Sequence, residues 1–134
     1  MNFKIKTIYK IFPVLVVYTN KFLKEPFVGV SWGPIIFIRP EMRNNEIVLE
    51  HELVHSKQFF RTFGLQALLY KISDKKKLYY ELEAYATYIK RNPNIYGIKN
   101  ITNRLSSNYN LKYTYAEIYK YASEYYKPYL KNRK

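Results

Sequence analysis

The chain's only two histidines stand four residues apart, with a glutamate directly after the first, in the stretch His51-Glu52-Leu53-Val54-His55. On an α-helix that spacing leaves the imidazoles about 40° apart in azimuth and about 6 Å apart along the axis, close enough to share one metal ion. Glu52 stands about 100° round from His51, where its carboxylate can reach a water on that ion. Zinc lowers the pKa of such a water towards about 7 and polarises a scissile carbonyl, while the glutamate takes the proton as general base and returns it as acid. At this composition an ordered H-E-x-x-H arises by chance with a probability of roughly 2 × 10⁻³, so the spacing is a signal of chemistry.

Two histidines leave zinc short of the three protein ligands that a catalytic site usually has. The chain has no cysteine, so the third ligand must be a carboxylate. The segment YYELEAYA offers Glu81 and Glu83. Two residues on a helix are about 200° apart, so only one of them can face the ion. Leu78, Leu82, Tyr85, Ala86 and Ile89 make the apolar side of this helix, and Glu81 borders it. Glu83 shares the opposite side with Tyr80, Thr87 and Lys90. Amphipathicity selects Glu81, with Glu83 as the alternative third ligand. Tyr85, one turn after Glu81, either hydrogen-bonds a ligand or packs. The competing structural reading is two core histidines satisfied by hydrogen bonds, with Glu52 ion-paired and Glu81 an ordinary boundary carboxylate.

The elements that must position these groups are legible in outline. Asn44 or Asn45 caps a helix with Glu46 in its first turn, and that helix runs to about Phe63, where Gly64 stops it. On a wheel only Glu50, Lys57 and Arg61 form a charged stripe. Ile47, Val48, Leu49, Leu53, Val54, Phe59, Phe60 and Phe63 fill most of the rest, so the helix is buried on nearly all sides. His51, His55, Gln58 and Thr62 form a polar line away from the stripe, and buried polar groups need partners. Upstream, VGVSWGPIIFI reads as one or two short strands, with Pro34 marking an edge or first-strand position. Downstream come LQALLYKI, the turn SDKKK, a helix from about Lys76 to Arg91 ending before Asn92-Pro93, and the loop NPNIYG. A weaker helix around Ile98–Ser106 follows, then a C-terminal helix opened by the capping box Thr114-x-x-Glu117 and stopped at Pro128. Its tyrosines at 115, 119, 121, 125, 126 and 129 make a packing face. The expected fold is α+β: one small domain over 1–134, mainly helical, with a short two- or three-stranded sheet.

Composition bounds the rest. At 134 residues and 48% hydrophobic, the chain can bury one modest core. The absence of cysteine excludes disulfide scaffolds and thiolate metal sites. Its 23 basic residues against 10 acidic ones give a net charge of +13, which attracts anionic partners. The charges are scattered, however, and the longest run is Lys75–Lys77. The Lys/Asn/Ile/Tyr enrichment, with 16 tyrosines, fits an AT-rich genome. The N-terminus looks like a signal peptide, but its apolar core is short, Pro13 interrupts it, and no small-residue cleavage site follows. It falls below the roughly 18 apolar residues of a membrane span, so it is expected to be a helix or strand of the core in a cytoplasmic protein.

Over Trp32 to Tyr88, HELVH followed by the helix of YELEAYA resembles the gluzincin zinc metallopeptidases, most closely very small single-domain (minigluzincin-like) members and short bacterial and phage proteins. The resemblance implies a zincin-like domain with a metal core at about 32–90 and a C-terminal helical extension at about 94–134. It implies His51, His55 and Glu81 as zinc ligands, Glu52 as catalytic base, and PIIFI as the edge strand along which a peptide or protein substrate adds backbone hydrogen bonds. Many gluzincins carry an Asp four residues after the ligand glutamate; here Tyr85 stands there. No third histidine exists for the oxyanion, which leaves a tyrosine or Arg39 for that task. Some small members are latent, and the basic, Tyr-rich C-terminal part could block a cleft. The alternatives are a catalytically idle zincin fold acting as a structural or interaction protein, and a basic nucleic-acid-associated protein.

Overall fold

The computed structural model describes residues 3–91 and 93–131, without the side chains of residues 95, 96 and 131. The fold is α+β, mainly helical, with one small mixed sheet. It divides into two compact units, Met1–Lys71 and Ile72–Lys134.

In the first unit, strands β1 (Phe3–Ile8), β2 (Phe12–Tyr18), β3 (Gly29–Trp32) and β4 (Ile35–Ile38) form a sheet in the order β1-β2-β4-β3. The sheet thus has four strands, one or two more than the sequence suggested. The two N-terminal strands are a hairpin made from the signal-like segment, and β1 runs antiparallel to β2. β2 is parallel to β4, and β4 is antiparallel to β3. The expectation that PIIFI forms the edge is therefore corrected: β4 lies inside the sheet, and GVSW of β3 is an edge strand. Pro34 is tolerated because it lies in the β3–β4 turn, before the ladder, where its carbonyl accepts a hydrogen bond from the Leu15 amide at 2.9 Å.

Helix α1 (Glu46–Arg61) packs on one face of this sheet. Asn45 caps it, its side-chain oxygen accepting from the Ile47 and Val48 amides at 3.0 and 3.2 Å. The helix ends where Phe63 and Gly64 adopt positive φ, and the Gly64 amide returns to the Phe59 carbonyl at 2.8 Å. Val14, Val16, Ile36 and Ile38 are buried in one cluster with Val48 and Leu49. Each such side chain contributes roughly 2 kcal/mol of burial, which offsets the cost of the polar groups that α1 also buries. Helix α2 (Leu65–Ile72) follows.

The second unit packs α3 (Asp74–Arg91), α4 (Ile95–Asn108) and α5 (Tyr115–Lys131) against one another around Leu82, Ile89, Ile101, Leu105, Ile118 and Tyr126. The capping box forms in both directions, Thr114 amide to Glu117 Oε1 and Glu117 amide to Thr114 Oγ1. Helix α5 does not stop at Pro128 but runs through it. That proline lies on the exposed surface one turn from the end, where water can satisfy the carbonyl it leaves free. Of the expected loop NPNIYG, Asn92 lies outside the described residues, and the chain from Ile95 onward is helical. The tyrosine face of α5 is partial: Tyr126 is buried and Tyr121 and Tyr125 meet Tyr79 of α3, while Tyr115 is exposed.

Candidate metal centre

Helix α1 carries the two histidines into the interior together with their polar companions. His51, Glu52, His55, Ser56 and Gln58 are all buried. The imidazoles of His51 and His55 lie 5.1 Å apart between centroids, with planes crossing at 75°. The one-turn spacing has therefore produced two neighbouring, inward-facing rings, as the helix geometry requires.

His55 is oriented by Gln58, three residues on. The His55 Nδ1 lies 2.9 Å from Gln58 Oε1, an acceptor, so Nδ1 carries the proton and donates it. In the neutral ring Nε2 is then the nitrogen with a lone pair. Gln58 is in turn fixed by full burial, and its backbone carbonyl receives the Thr62 hydroxyl at 2.8 Å. From His55 to Thr62 the polar line seen on the wheel is thus joined by hydrogen bonds. Tyr70 approaches His55 edge-on, at 6.3 Å and 90° between the rings.

Glu52 lies beneath the edge strand. A Cβ on Gly29 of β3 would come within 3.2 Å of Glu52 Cγ, 3.3 Å of its Oε2 and 3.3 Å of Val48 Cγ1. Gly29 therefore makes room for the carboxylate against the backbone of β3. A glycine inside a strand often marks such a close approach, so this partner had a signal in VGVSWG although the sequence reading did not use it. Ser56 was also missed. Its hydroxyl donates to the Gly33 carbonyl at 2.6 Å and lies 3.1 Å from Ser31 Oγ, which then acts as donor. These bonds tie α1 to β3 and to the turn after it. At that turn Gly33 has φ 66 and faces the Phe59 ring, where a Cβ would meet ring carbons at 3.0 Å.

Arg39 does not serve as an oxyanion group. Its guanidinium donates to the Phe27 carbonyl, Asn20 Oδ1 and the Leu23 carbonyl, and pairs with Glu25 at 3.2 Å. It clamps the loop between β2 and β3.

In the second unit Glu81 is buried on α3, while Glu83 on the other side is half-buried, the asymmetry that amphipathicity predicted. Tyr85 is buried one turn on, its hydroxyl 2.8 Å from that of Tyr109, which directly follows α4. Burial pushes the Tyr85 phenol well above its usual value, the charge of Glu81 adds to the rise, and the Tyr109 hydrogen bond opposes it. Tyr85 thus stays neutral and acts as a hydrogen-bonding, packed residue. Arg104 lies over the Tyr88 ring at 5.4 Å.

The donor set of α1 suits zinc: two neighbouring imidazoles, one of them oriented through its far nitrogen by a buried amide, with a carboxylate on the same helix. No family model, no curated protein and no solved structure matches this chain.

Proposed function

We propose that the chain is a zinc-dependent peptidase of gluzincin type. In this reading His51 and His55 hold the ion, Glu81 is the third ligand, and Glu52 is the general base. The observation that carries it is the His55–Gln58 hydrogen bond beside His51 on a helix that also buries Glu52. A histidine oriented through its far nitrogen is the usual arrangement of a zinc ligand. The burial of Glu81 on an amphipathic face supports it as the carboxylate that completes the set.

When bound, zinc supplies Lewis acidity, polarising a carbonyl and acidifying a water. Glu52 accepts the proton of the attacking water and delivers it to the departing amine nitrogen. Gly29 leaves the space that this carboxylate occupies. Among the described residues β3 is an edge of the sheet, and an extended peptide can add to it by backbone hydrogen bonds.

The test is cleavage of a denatured protein by the zinc-loaded chain and by Glu52→Gln. The reading expects cleavage that disappears in Glu52→Gln while zinc is retained. Zinc binding with no cleavage by either protein would leave an idle zincin fold in its place.

A further inference from the structure

A sheet with one solvated face ordinarily alternates apolar and polar residues along each strand. In this sheet the outer face is largely apolar as well. Its inner face is buried through Val14, Val16, Ile36 and Ile38. On the outer face the strand register aligns Phe3 with Val17, Ile5 with Leu15, Leu15 with Ile35, and Trp32 with Ile35. Large apolar side chains stay in water there: Phe3 is 51% exposed, Ile5 65% and Trp32 54%. Phe22 joins them from the loop after β2, 62% exposed, its ring 5.7 Å from Trp32 and 5.0 Å from Phe37. It does so from a backbone with φ 67, a region that bulky residues rarely occupy.

The charges beside this face have one sign. In residues 1–40 Lys10, Lys21, Lys24 and Arg39 lie outside the strands, while Lys4 and Lys6 stand in register with Val16 and Val14 on the inner face; the single acid, Glu25, is paired with Arg39. Lys10 lies in the β1–β2 turn, and Lys21 and Lys24 flank Phe22; all three are exposed. An apolar, aromatic-bearing surface edged by lysines matches the boundary of an anionic bilayer. There rings and aliphatic side chains enter the acyl region and the cations meet the headgroups. A second copy docked face to face would set these lysines against one another. A single-stranded nucleic acid would need cations among the stacking rings, and the strand residues of this face, Thr7 included, carry no charge.

We propose that the outer face of the β-sheet is a docking surface for an anionic lipid membrane, with Phe3, Ile5, Phe22 and Trp32 entering the interface and Lys10, Lys21 and Lys24 meeting its charge. The assignment is independent of the metal site. Trp32 is the only tryptophan, so the full chain carries its own reporter. With phosphatidylcholine vesicles containing phosphatidylglycerol, Trp32 emission shifts to the blue and is quenched by brominated acyl chains; pure phosphatidylcholine gives neither effect. The Lys10→Gln/Lys21→Gln/Lys24→Gln variant, with an unchanged far-UV spectrum, partitions about a hundredfold more weakly, at about fivefold per lysine. No blue shift of the wild-type chain on anionic vesicles overturns the proposal. So does undiminished partitioning of the folded triple variant. A blue shift that grows with protein concentration in the absence of lipid, or one produced equally by a single-stranded oligonucleotide, overturns it in favour of self-association or nucleic acid.

Discussion

Replacing Gln58 by leucine isolates the interaction on which the metal reading leans most. The substitution keeps the volume of a fully buried side chain and removes the acceptor 2.9 Å from His55 Nδ1. Two responses are open to His55. It can keep its tautomer, with a buried N–H deprived of that acceptor at a cost of about 1–3 kcal/mol. Or it can move the proton to Nε2, which then has no lone pair to offer a metal. In both cases zinc binding weakens, by about 10–100-fold, the range seen when such outer partners are lost. That range corresponds to about 1.4–2.7 kcal/mol, inside the cost worked from the hydrogen bond, so the two routes to the magnitude agree. Competition with a chromophoric chelator measures the affinity. Gln58→Glu serves as the control, because its carboxylate still accepts from Nδ1 and should bind zinc at least about tenfold more tightly than the leucine variant. A leucine variant that binds zinc within about twofold of the wild type would refute the reasoning, since His55 would then owe nothing to its neighbour.

Gly29→Ala places a Cβ 3.2–3.3 Å from the Glu52 side chain and Val48. It should displace the carboxylate by a few tenths of an ångström and lower turnover on the order of tenfold, with zinc affinity unchanged in the chelator assay. Ser56→Ala strips the buried Gly33 carbonyl of its 2.6 Å donor, and urea unfolding should show a loss of about 1–3 kcal/mol. The buried phenols of Tyr85 and Tyr126 have pKa values raised above the usual 10.0, chiefly by burial. The neutral forms are favoured in the fold, so their stability contribution is complete below the unfolded value and is lost as pH rises through the folded one. An ultraviolet titration should therefore show a late group of tyrosines that ionises together with loss of far-UV signal. A single phase that leaves the fold intact would contradict the burial assignment.

The local elements of the site were legible because their signals are local. Asn45, Glu46 and the apolar wheel specified α1, and the same wheel showed that His51, His55 and Gln58 would be buried. The two sides of α3 separated Glu81 from Glu83 because solvent and core select different side chains over a single helical turn. The sheet was harder to read. FPVLVVY is a continuous apolar run flanked by lysines, with no alternation to distinguish a strand from a leader or a buried helix. PIIFI looked like an edge because of Pro34, yet the partner that places it inside the sheet is β2, some twenty residues earlier and parallel to it. No residue in PIIFI records that pairing. Arg39 looked available because its three acceptors come from a loop that folds back only in the tertiary structure.

The central claim is that His51 and His55 bind zinc, and elemental analysis of the purified, folded chain tests it most directly. The expected content is about one zinc per chain, lost in His51→Ala and weakened in Glu81→Gln. A wild-type chain that keeps its fold yet takes up no zinc, or a His51→Ala variant that binds it undiminished, would contradict the account.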